Sequence, residues 1–413
     1  MLPGQSRNDY DLKLFTSVLM GKDFVKSLTQ TAQNWRRTIR LQGGYWMGTF
    51  RIVAPMYELV SYFYTWLGYH VEESVRGVKS WEGMVYEMVL NTPNASRVKS
   101  FDQMYNIGLV KYIDSAGAQQ LSSVVSEPAS SARYGWRVFH EDVGTLGATA
   151  AAAMAASYLA EHAWPWARPQ ASGGGEVSLD VTVCGYVFPA NWRKCYVSSD
   201  RTSTIHDEIA DILADFCDDY LTAGTLAANT TSVERVEDQY DYSWEFMQKL
   251  VKAGDASGNL YRLYVGNDRL VYYEQVSTSP DYYIVNGVLR ERLAAAEAMN
   301  PWLVKPGVFR DMDYPVSIDE PGSYLSDARD SIVEEVSCGA NSGLTWQALD
   351  FSESAQLAAF QEIDKGAAPA PAGGGGETVQ RTITDEMLRR MGTSRARWAK
   401  MTPAQRRKMK KKL

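Results

Sequence analysis

The segment "GYHVEESVRGVKSWEGMVYEMVL", residues 68–90, most restricts how this chain can fold. Arg76-Gly77 offers a tight reversal between two strand-favouring arms, Val71–Val75 and Val78–Leu90. Within the second arm, alternation puts Trp81, Gly83, Val85 and Val89 on one face. Met84, Tyr86, Met88 and Leu90 fall on the other face. Both faces are largely apolar, so this strand is expected to be covered on both sides.

Around it, "MGTFRIVAP" carries strand-favouring residues, and the chain reads as mainly β up to about residue 113. An alanine-driven helix is predicted from Leu146 to His162, closed by the prolines of "WPWARP". A strand follows in "VSLDVTVCGYVF", where Val177, Leu179, Val181 and Val183 alternate. Ile205, Ile209, Ile212, Phe216 and Tyr220 recur at helical spacing and predict a helix over Thr204–Leu221. Another helix, Tyr242–Ala253, should stop at Gly254 as a left-handed cap. A hairpin, further strands and "SIVEEVSCGANSGLTWQAL" complete an α+β, strand-dominated reading with β-barrel-like domains and a few helices.

Two stretches rich in Gly, Pro and Ala read as linkers, at 169–176 and 366–377. They divide the 413 residues into a first β-rich domain (1–168), a second α+β domain (177–365) and a flexible basic tail (378–413). The tail holds twelve Lys and Arg against two acids, +10, so the formal net charge of −7 leaves −17 for the rest. That asymmetry argues against a nucleic-acid-binding core and leaves only the tail as a candidate, through Arg406, Arg407, Lys408, Lys410, Lys411 and Lys412. Thr402 and Pro403 suit the start of a short tail helix, either a solvated appendage or an attachment to a polyanion or acidic surface. No secretory signal opens the chain and no apolar run is long enough to span a bilayer, so a soluble protein is expected. Cys184, Cys195, Cys217 and Cys338 form no metal or disulfide pattern, which fits a reducing cytoplasm.

Asp255 and Asp268 sit beside Gly-rich turns in "KLVKAGDASGNLYRLYVGNDRLVYYEQV" but match neither a calcium loop nor a phosphate loop. We read them as a helix cap and a hairpin turn, with Gly266-Asn267 as its two-residue loop. Glu208, Asp211, Asp215 and Asp219 share helical spacing and could converge on a divalent ion, yet they read better as the solvated face opposite the apolar stripe. His70, His140, His162 and His206 lie far apart, and no nucleophile elbow accompanies them. Trp164/Trp166 and Tyr272/Tyr273 could stack on sugars, but Tyr-rich strands more often pack or form oligomer contacts. No catalytic residue, metal or cofactor is expected.

The order of landmarks carries a resemblance. The 68–90 segment, "SFDQMYNIGLVKYID", "SSARYGWRVFHEDVG" and "YSWEFMQKLVKAGDASGNLYRLYVGNDRLVYYE" together resemble phage tail-hub and baseplate-hub proteins, discontinuously over residues 40–290. The resemblance implies a structural subunit at the distal end of a tail, a homotrimer around the tail axis joining tube, tape-measure protein and tip or spike. It implies assembly rather than chemistry. Trp81, Tyr134, Tyr264, Tyr272 and Tyr273 are the residues expected in packing or subunit contacts. The alternatives are a glycan-binding adhesin or a cell-wall hydrolase, for which Glu141 and Asp142 are the nearest carboxylates.

Overall fold

The structure is a computed structural model that describes residues 10–170, 176–197, 199–236, 241–277, 279–285, 288–290, 299–312, 328–340 and 343–350. The described residues all belong to one compact unit, and residues 367–413 lie outside the described residues. The basic residues from Arg406 to Lys412, and the expected helix at Thr402, therefore lie there too.

The Arg76-Gly77 reversal is a two-residue turn with both φ angles positive (51° and 81°), a form whose twist matches that of the strands it joins. It connects β5 (His70–Val75) to β6 (Val78–Asn91) with Val75 opposite Val78. Every residue from Ser80 to Val85 is buried, so β6 is covered on both faces. Trp81 meets Trp35 and Tyr45 on one side, with ring centroids 5.5 and 6.2 Å away. Tyr86 meets Phe101 and Phe188 on the other, at 5.8 and 6.0 Å.

The Ser178–Cys184 strand, which follows the 169–176 segment, lies between β6 and β4 (Gly43–Ile52). Leu179, Val181 and Val183 are buried there. From β6 the sheet runs through β5 and β1 (Tyr10–Phe15) to β2 (Phe24–Ser27). The other way it passes through β4 and β3 (Ala32–Arg40) to the Ala328–Gly339 strand and ends at Gly343–Asp350. A branch leaves β4 at Gly43-Gly44, where Tyr261–Val265 runs parallel. A Cβ on Gly44 would lie 2.2 Å from the Val265 carbonyl oxygen, so only glycine permits that approach. The fold is strand-dominated as expected, but among the described residues the pairings branch without closing a ring, so the strands form open sheets rather than barrels.

Six helices complete the described chain. The helix α1 (Met56–Thr65) buries Leu59 and Phe63. Next comes α2, Pro128–Tyr134. The alanine helix α3 (Ala148–His162) presses Ala155 and Leu159 onto Gly108 of the Ile107–Ile113 strand. A short α4 (Val187–Ala190) follows the central strand. In α5 (Ile205–Phe216), Thr204 caps the first turn by accepting from the Asp207 N–H. This helix is shorter than the apolar spacing predicts, and Tyr220 reaches the core from the turn beyond it, its hydroxyl donating to the Tyr134 carbonyl at 2.6 Å. The last is α6 (Ser243–Ala253), where Gly254 has φ 66° and ψ −146°. That cap is a glycine conformation outside the left-handed helical region predicted for it.

Candidate functional site

The β5–β6 hairpin assembles one chemically suggestive cluster: ligand atoms of His70, Glu72 and Glu82 lie within 4.8 Å of one another. Sequence reading found no such group, because the three residues come together only through the hairpin register. His70 and Glu82 are buried and Glu72 is half-buried. His70 Nε2 lies 3.0 Å from Glu72 Oε1, and its Nδ1 lies 2.6 Å from the Tyr186 hydroxyl. Burial pushes the His70 pKa down and the Tyr186 pKa well up. A neutral imidazole then donates from Nε2 to Glu72 and accepts at Nδ1 from Tyr186.

The cluster carries its own cation. Lys79 Nζ stands 2.8 Å from Glu72, 3.1 Å from Glu82 and 2.5 Å from Asp268. Lys22 Nζ adds a contact of 2.5 Å to Glu72. Burial favours the protonated Glu72, but hydrogen bonds from His70, Lys22 and Lys79 outweigh it and hold the carboxyl well below its usual range. Burial likewise opposes the Lys79 charge, and bonds to Asp268 and Glu72 overcome it. An ammonium occupies the place a metal would need, and the arrangement is an ion-pair network that pins the 266–269 turn to the hairpin. Replacing Lys79 with Met should cost about 2 kcal/mol, below the value for a fully buried pair because Lys79 keeps some exposure. Manganese at millimolar concentration should then raise the melting temperature of this variant and leave wild type unmoved. Stabilisation of wild type by manganese would instead make the cluster a metal site.

Both questioned aspartates are architectural. Asp255 accepts from the Ser257 and Asn259 N–H groups at 2.9 and 3.0 Å, closing its turn. Asp268 lies in a four-residue loop, Gly266 to Arg269, with φ 58° at Asp268 and 61° at Arg269. The predicted two-residue loop is corrected here: Arg269 donates its N–H to Glu82 at 2.7 Å, and the loop lengthens to make that anchor.

On the acidic helix face Asp211 and Asp215 are exposed as expected, and the reading is corrected at Glu208. Glu208 is fully buried, with Arg235 at 2.5 Å, Arg201 at 2.6 Å and Ser203 at 2.8 Å. Asp211 pairs with Arg201, and Asp219 accepts from the Trp136 N–H and pairs with Arg193. These carboxylates serve ion pairs rather than one ion.

Of the aromatic residues expected at contacts, Trp81, Tyr134 and Tyr273 are buried inside this chain. Tyr264 and Tyr272 stack on each other at 5.2 Å across the hairpin and stay half-buried. Tyr272 and Tyr273 thus face opposite ways and form no shared platform, while Trp164 and Trp166 are exposed. Glu141 and Asp142 are exposed neighbours on the Val138–Thr145 strand. Among the described residues no helix is long and apolar enough to cross a membrane.

The sheet ends are a second feature of note. Among the described residues β2 pairs only with β1, and its Phe24 and Val25 are 60% and 40% exposed. At the opposite end, Gly343–Asp350 pairs only with Ala328–Gly339 and exposes Trp346 by 41%.

No family model matches this chain, and no curated protein matches it in sequence. Solved structures do. The 43 kDa tail protein of prophage MuSo2 from Shewanella oneidensis is similar at TM-score 0.40 and 7% identity, covering 83% of this chain and 96% of that one. A tail protein of Neisseria meningitidis MC58 is similar at TM-score 0.41 and 7% identity, covering 83% and 97%. The E. coli c3393 protein is described as a type VI secretion component with structural similarity to T4 tail proteins gp27 and gp5. It is similar at TM-score 0.36 and 9% identity, covering 78% and 74%.

Proposed function

We propose that this chain is a structural subunit of the distal phage tail, in the hub or baseplate, that oligomerises around the tail axis and links tube to tip. The observation that carries the reading is the pair of open strand edges at the two ends of one continuous run, each exposing aromatic or β-branched side chains. A free edge is a template for another strand. Two unlike edges on one subunit suit a head-to-tail contact, which closes into a ring when the rotation allows. The ordered landmarks that resemble tail-hub proteins support the same role, and a homotrimer is the assembly they imply. Its neighbours would be the tube, tape-measure and tip or spike proteins, with assembly in the host cytoplasm and a final place in the virion tail. The work of such a subunit is assembly, not catalysis, and its basic tail is the part open to a polyanion.

The test is to place lysines on the first edge. Phe24→Lys with Val25→Lys should turn a three-fold assembly into monomers by light scattering at micromolar concentration. The melting temperature of the subunit should barely move, since exposed substitutions typically change stability by about 0.5 kcal/mol or less. A wild-type monomer, together with a monomeric position in the assembled particle, would sink the proposal.

A further inference from the structure

A cleft of about 500 Å³ lies beside α4 and the start of α6. Its walls include Trp46, Tyr105, Phe188, Trp192, Tyr242 and Trp244. The arrangement is built rather than incidental. Trp46 packs on Phe188 at 4.8 Å, and the Arg137 guanidinium lies 5.0 Å from the Tyr105 ring and 5.3 Å from Trp192. Tyr242 remains 42% exposed at the rim.

Polar groups of both kinds sit among these rings. Asn191 Nδ2 donates to Glu245 Oε1 at 2.9 Å, and the Glu245 N–H donates back to Asn191 Oδ1 at 3.3 Å. Gln248 also lines the cleft. Trp244 is only 3% exposed, yet its buried indole N–H has no acceptor. A buried donor left unpaired is costly, and native structures seldom keep one without a reason.

We infer that this cleft binds a neutral saccharide. Aromatic rings offer flat apolar faces to the C–H face of a pyranose, while the ring N–H and O–H groups remain available at their edges. Hydroxyls both donate and accept, which matches a wall holding a carboxylate and carboxamides together with an unmet N–H donor. A proline-rich peptide presents carbonyl acceptors and little else, and would add no donor to the one that Asn191 already gives Glu245. A sugar oxygen accepts from Trp244 Nε1, a buried donor left unmet in this wall, once the bound sugar turns the indole edge toward the cleft. The size and the mix of apolar walls with a few polar groups are those of small-molecule sites. The inference is independent of the tail assignment, because the cleft is formed within one chain.

The test titrates the full chain with maltotriose, cellotriose and tri-N-acetylchitotriose while following tryptophan emission. At least one should give a saturable change. Tyr242→Ala should weaken binding at least about tenfold, and Trp244→Phe, which keeps a ring but removes the N–H, about fivefold. Tyr57→Ala, on α1 and 73% exposed, should bind as wild type does. Melting curves confirm that each variant is folded. No saturable change with any of the three up to about 10 mM, unchanged affinity in both folded cleft variants, or a response to decaproline alone would each overturn the inference.

Discussion

Replacing Glu73 with Gln should destabilise the protein by about 3–5 kcal/mol, the usual consequence of stranding one member of a buried ion pair. Glu73 and Arg37 have fully buried side chains, with Arg37 Nε 2.5 Å from Glu73 Oε2. The Trp35 indole N–H donates to Glu73 Oε1 at 2.6 Å and the Ser80 hydroxyl to Oε2 at 2.7 Å. Arg37 also donates to the Trp302 carbonyl, so the pair ties β3, β5 and β6 to the 301–303 turn. Glutamine keeps the volume and can still accept from Trp35 or Ser80, but it leaves the guanidinium without its counter-charge. Arg37→Met combined with Glu73→Gln removes that charge, and the double variant should recover at least half of the loss. Urea unfolding of the two single variants, the double and wild type completes the cycle. A Glu73→Gln protein within about 1 kcal/mol of wild type, or a double variant with no recovery, would show that the pair does not hold the core.

That network marks where sequence reading stops. The hairpin was legible because Arg76-Gly77 sits between two alternating arms, and the α3 and α6 helices were legible from propensity and periodicity. Glu73 was also visible in principle: it alternates with Val71 and Val75, and all three are buried. Reading it as an acidic surface residue is natural until Arg37 and Trp35 are known to lie opposite. Glu208 repeats the case. It stands three residues after Ile205 and four before Ile212, so helical arithmetic places it on the apolar stripe, and all three are buried. Its partner Arg235 comes from another part of the chain, and a register between distant segments has no local signature. The same limit hid the cleft. Trp46, Tyr105, Trp192 and Trp244 are scattered in sequence and are gathered by sheet order and the turn into α4.

The turn into α4 begins at Gly185, and Gly185→Ala should be the most damaging single methyl addition in the described chain. A Cβ there would lie 1.7 Å from the Tyr45 carbonyl oxygen and 2.6 Å from its carbon, contacts that no rotamer can relieve because both atoms are backbone. The Gly185 N–H donates to the Trp46 carbonyl at 2.7 Å, so moving the strand away breaks a buried bond. Nor is there room on the other side: a Cβ on Gly83 of β6 would lie 2.4 Å from the Cys184 carbonyl oxygen. Overpacking a core typically costs about 1–3 kcal/mol, and a rigid backbone clash lies at or beyond the upper end. A loss of about 3 kcal/mol or more should lower the melting temperature of a unit this large by roughly 4 °C or more. Gly147→Ala, where a Cβ meets nothing within 4 Å, should stay within about 1 kcal/mol of wild type. Because the displaced segment carries Val187 and Phe188 into the cleft wall, any folded Gly185→Ala protein should also lose the tryptophan response to saccharide. If Gly185→Ala melts with Gly147→Ala, the close approach of β4 to the central strand is not a constraint on this fold.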